Sequence, residues 1–119
     1  MKKELEQYFG CEVKIAEYKN KLPLPIFMTM RDIVMVEIYG VTFAIIDVMK
    51  ETELSVAAMK KQKAKYEEAL QCPVAYEVAI NNVSMRNALV KSGVPFVNLP
   101  GNVFLPFMGI VSQAACQGG

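Results

Sequence analysis

"DIVMVEIYGVTFAIIDVM", residues 32–49, is the stretch whose reading decides the fold. Two runs rich in β-branched and aromatic residues, DIVMVEIYG (32–40) and VTFAIIDVM (41–49), are joined at the dipeptide Tyr39-Gly40. Such side chains suit a pleated surface, and a tight Gly-containing link folds one strand back on the other. An antiparallel hairpin is expected. The second run is apolar almost without interruption from Val41 to Ile46, the pattern of a central strand covered on both faces.

Towards the N-terminus, Leu5, Tyr8 and Phe9 recur at i, i+3 and i+4, with Gly10 placed to end a helix over 2–9. Cys11, Val13 and Ile15 then alternate with Glu12 and Lys14, which predicts a half-buried strand. NKLPLP (20–25) is a break, because Pro23 and Pro25 hold their predecessors extended.

Towards the C-terminus, ETELSVAAMKKQKAKYEEAL (51–70) predicts the long helix, capped by Thr52 or Ser55. Its expected buried stripe is Ala58, Met59, Gln62, Tyr66, Ala69 and Leu70. PVAYEVAI (73–80) predicts a strand. NNVSMRNALVKSG (81–93) predicts a helix with Met85, Ala88 and Leu89 inward and Gly93 just past its end.

VPFVNLPGNVFLPFMGI (94–110) carries Pro95, Pro100 and Pro106, which exclude a helix. Strands near 94–98 and 102–106 are expected, with Pro100-Gly101 central in a type II turn. The order α-β-(β)-β-β-α-β-α-β-β implies an α/β (α+β) domain over 1–110, a mixed β-sheet flanked by helices. A flexible tail, 111–119, is expected after it.

At 119 residues the chain has the size of one domain. Its apolar fraction of 53% lies slightly above the roughly 45–50% of average domains, which leaves room for an apolar contact surface. Charged residues make up 21% with a net charge of +1, a poor balance for a dedicated polyanion binder. There is no histidine, so the commonest general base and zinc ligand are missing. Cys11, Cys72 and Cys116 are scattered and odd in number, which points to free thiols rather than a zinc site or disulfide framework. No segment reads as a signal peptide or membrane span, and a cytoplasmic protein is expected.

No nucleotide-binding glycine motif and no catalytic constellation is visible. No enzyme activity, cofactor or metal is therefore expected. The succession of strands, long helix, strand, helix and strand resembles the core of restriction-endonuclease-like folds, whose acidic residues and Glu/Asp-x-Lys motif hold a divalent cation. In this chain Asp47 is followed by Val48 and Met49, so Lys50 comes one place too late. Glu12-Val13-Lys14 falls instead on the first strand as a solvent face. A live site would need Glu37, Asp47 or Glu51 to converge on Lys50. Lys60, Lys61, Lys63 and Lys65 form the one basic run, read as a solvated helix face with weak Lys63–Glu67 and Lys65–Glu68 pairing. The methionines read as core fillers; a small-molecule sensor would instead show an apolar pocket lined by methionine and aromatic residues.

LPLPIFMT, VTFAIIDVMKE followed by the long helix, CPVAYEV and above all LVKSGVPFVNLPGNVFLPFMGI resemble the non-DNA-binding N-terminal domain of bacterial MarR-type winged-helix regulators. Val94-Pro95-Phe96 and Phe104 to Ile110 carry the likeness, which spans about residues 1–110. It implies a non-catalytic accessory, dimerisation or sensing domain. Phe104, Leu105, Phe107 and Ile110, on a terminal strand, are then the expected contact surface for a second copy or a winged-helix domain. Such a winged helix would follow Ile110, where this sequence continues only as VSQAACQGG, so an excised domain or a protein that lost its DNA reader is expected. Direct DNA binding is not expected of this chain.

Overall fold

The computed structural model describes residues 1–18, 30–99 and 101–108. Helix α1 (Lys2–Phe9) precedes strand β1 (Lys14–Glu17). Strands β2 (Ile33–Ile38) and β3 (Val41–Asp47) follow, then the long helix α2 (Val56–Leu70). Strand β4 (Val74–Glu77), helix α3 (Val83–Lys91), strand β5 (Phe96–Asn98) and strand β6 (Asn102–Phe104) complete the sheet, and a 3₁₀ turn covers Pro106–Met108. The expected mixed sheet flanked by helices is the observed architecture. The bracketed extra strand and the expected 111–119 tail fall within residues 19–29 and 109–119, outside the described residues.

The six strands lie in sequence order, β1-β2-β3-β4-β5-β6. The first three pair antiparallel, β3–β4 and β4–β5 are parallel, and β6 returns antiparallel on β5. Each change to parallel pairing coincides with an intervening helix, because a parallel neighbour can be reached only by a crossover. The β2–β3 hairpin pairs Ile38 with Val41, so Tyr39 and Gly40 alone make the turn. Both have positive φ, 53° and 78°, the type I′ geometry whose twist matches a two-residue hairpin. Tyr39 is an unusual occupant. Its hydroxyl donates to the Phe9 carbonyl at 2.8 Å, which ties the turn to the end of α1.

The sheet separates two cores. Ile33, Ala44, Ile46, Val74, Tyr76 and Phe96 face α2 and α3, joined by Met59, Tyr66 and Leu89. Val36, Phe43, Ile45, Ala75 and Val97 face α1 and the 3₁₀ turn, joined by Leu5, Phe9, Leu105 and Met108. β3 is covered on both sides, with Phe43 to Ile46 all buried. β1 is an edge, and its exposed Lys14 and Glu17 discourage pairing with another chain.

Three local expectations change. The strand over 73–80 contracts to Val74–Glu77, because the chain beyond turns towards α3. In the α2 stripe Met59 and Tyr66 are buried, whereas Ala69 is exposed. The terminal strand stops at Phe104: Pro106, without an amide donor, opens a 3₁₀ turn instead of extending the ladder. Asn98 pairs with Asn102, which leaves a three-residue loop whose Pro100 lies outside the described residues.

Candidate ligand-binding cleft

β3 and β4 run parallel, so their C-terminal ends open side by side, each followed by a loop leading into a helix. In open parallel sheets ligands enter at this end where the strand order reverses; here the order runs straight through, with both helices on one face, so the cleft itself carries the assignment. Beyond Asp47 the chain turns sharply. The Asp47 carboxylate accepts the Met49 N–H at 2.9 Å, and the Glu51 N–H donates to the Val48 carbonyl at 3.1 Å. Ser55 then caps α2, its hydroxyl accepting from the Ala58 N–H at 3.1 Å. Beyond Glu77, the Asn98 side-chain amide donates to the Val78 carbonyl, and the Asn82 side chain caps α3 by accepting from the Met85 N–H.

Between these loops lies a cleft of about 120 Å³. Val48, Leu54, Met59, Val78 and Ala79 supply apolar walls, Met85 comes from α3, and Met49, Glu51, Thr52 and Asn81 complete the lining. Met49 is 42% exposed. Glu51 does not hang free. Arg31 donates to both of its carboxylate oxygens, at 2.7 and 2.6 Å, and reaches the Gln62 amide oxygen and the Tyr66 hydroxyl on α2. That bidentate grip holds the guanidinium protonated far above the working pH range, against the opposing cost of its burial. Burial pushes the Tyr66 phenol up, with Arg31 drawing it partly back.

The residues named for a cation site do not converge. Glu37 pairs with Thr42 at the far end of the hairpin, about 16 Å along the strand from Asp47. Asp47 follows Phe43 and Ile45 onto the α1 face, whereas Glu51 is pinned by Arg31 beside α2. Lys50 is exposed, as are Glu12 and Lys14. Sequence reading missed two neighbouring acids on the α1 face. Asp47 donates its N–H to the Asp32 carbonyl across the hairpin and lies alongside Glu77 on β4. Burial first, then the Asp47 charge, raise the Glu77 carboxyl above its ordinary value. Acids at the ends of IID and VAYE were visible in the sequence; their adjacency depends on strand order. Among the described residues, no group of three or more His, Cys, Asp or Glu could hold a metal ion.

The basic run does not form one face. At roughly 100° per residue, Lys60, Lys61 and Lys65 point outward, while Lys63 lies near the buried stripe and bonds Glu67 at 3.1 Å. The terminal aromatics Phe104 and Phe107 are half-buried against the molecule's own cores. Leu105 is fully buried and so is not available as a contact surface. Phe104 lies 5.8 Å from the Phe96 ring, and Phe107 4.9 Å from Phe43; Ile110 is outside the described residues. No helix among the described residues is long and apolar enough to cross a membrane. No protein-family model, curated protein or solved structure matches this chain.

Proposed function

We propose that this chain is a non-catalytic sensing domain of a transcription-regulator-like protein. The observation that carries the reading is the methionine-lined cleft between two strand-to-helix loops, at the carboxyl end of a parallel strand pair. Sensing is favoured over dimerisation through the terminal segment, because Phe104, Leu105 and Phe107 pack on the chain's own core. The regulator context rests on the resemblance of residues 94–110. The test is a protein-observed NMR screen with a fragment library of mixed charge and shape. Shifts clustered on Val48, Leu54, Met59, Val78 and Met85 are expected. A screen in which no fragment moves these signals overturns the reading.

A second reading, a nucleic-acid-binding or -processing protein of restriction-endonuclease-like fold, is favoured by the strand arrangement. Three antiparallel strands are followed by a parallel one reached across α2. With Asp47 and Glu51 on opposite sides of the sheet, plasmid DNA incubated with Mg²⁺ or Mn²⁺ is expected to stay intact. Cleavage that is lost in Asp47→Asn would reinstate this reading.

A further inference from the structure

We propose that the cleft receives a neutral aromatic molecule of a single six-membered ring; this rests on the sensing reading above. Size is the first argument. An apolar cavity of about 150 Å³ takes up benzene; a cleft of about 120 Å³ with an open mouth holds one ring with an edge left in solvent, and a fused pair exceeds it.

The second argument is the lining. Met49, Met59 and Met85 come from three separate elements, the loop after β3, α2 and α3, and all line the one cleft. A thioether against a ring contributes about 0.3–1.5 kcal/mol, an attraction that a saturated ring of similar size does not receive. Met59 is fixed in the core, and the exposed Met49 at the mouth is free to adjust to what enters.

Charge supplies the third argument. Glu51 is the charged residue among those lining the cleft, and Arg31 engages both of its oxygens. The Arg31 charge offsets that of Glu51, so the wall carries little net charge to draw a cation or an anion. Thr52 and Asn81 leave neutral donors and acceptors at the lip, suited to a hydroxyl or carbonyl substituent.

The experiment titrates the full chain, carrying methyl-labelled methionines, with phenol, cyclohexanol, benzoate, benzylamine and naphthol. Phenol is expected to shift the Met49, Met59 and Met85 methyls and to bind roughly twofold to tenfold tighter than cyclohexanol. Met85→Leu, which keeps the volume and removes the sulfur, should erase part of that preference. Ala79→Leu, which fills the cleft from its wall, should abolish binding while the remaining spectrum stays native. Equal binding of cyclohexanol overturns the aromatic assignment, and equal binding of naphthol overturns the single ring. Tighter binding of benzoate or benzylamine overturns neutrality. If all five probes leave the methionine methyls unmoved while the mixed library finds the cleft, this inference falls and the sensing reading stands.

Discussion

Gln71 closes α2 with φ 58° and ψ 40°, a left-handed conformation that costs an L-residue roughly 1 kcal/mol. Its N–H bonds the Glu67 carbonyl and its side chain donates to the Glu68 carbonyl, so the position is held by the helix end. Gln71→Gly is expected to stabilise the fold by about 0.5–1 kcal/mol in urea unfolding, the relieved strain outweighing the lost side-chain bond. Glu77 makes the opposite kind of point. Its carboxyl is raised in the folded state, so folding binds its proton more tightly than the unfolded chain does. The resulting stabilisation is complete below the ordinary glutamate range and lost as pH rises through the elevated folded value. Glu77→Gln should flatten that part of the pH–stability curve and raise stability near neutrality by less than about 1 kcal/mol, since the group is partly exposed. A curve parallel to the parent protein's would show that the Glu77 carboxyl is not raised in the folded state. Gly10, Gly40 and Gly93 could be placed from sequence because a glycine after a periodic run marks a left-handed position. Gln71 carries no such mark, and the Asp47–Glu77 contact joins residues thirty positions apart through strand pairing.

At the scale of elements, α2 depends on more than its own stripe. Burial of Met59 and Tyr66 orients it on the sheet, and the Tyr76 hydroxyl donates to the Met59 carbonyl at 2.8 Å. Arg31 then fastens it to the preceding loop through Glu51, Gln62 and Tyr66. Arg31→Lys keeps the charge but not the planar fork, and is expected to cost about 1–2 kcal/mol by chemical denaturation. Because Glu51 lines the cleft, the same substitution should broaden the amide signals of residues 49–54 while β2 and β3 remain sharp. The helix and its Ser55 cap were legible, since apolar spacing and a capping hydroxyl are local signals. The Arg31 network was not. Nothing in the local pattern separates an arginine that reaches α2 from one in water.

Across the whole molecule, the sheet divides one apolar composition into two cores, and the terminal segment seals the α1 side. Phe107 against Phe43 and Leu105 beneath it make that segment part of the fold. Phe107→Ala is expected to lower stability by about 2–3 kcal/mol, with sedimentation unchanged. Loss of a larger species with an unaltered melting curve would instead assign Phe107 to a contact between molecules. Hydrophobic pattern and turn chemistry determined the strands, the helices and the mixed sheet, because period and glycine placement act within a few residues. Tertiary structure alone decided that Leu105 faces inward, that Asp47 and Glu51 part to opposite faces, and that three distant methionines meet in one cleft. Those outcomes depend on which strands lie side by side, and long-range pairing leaves no periodic trace along the chain.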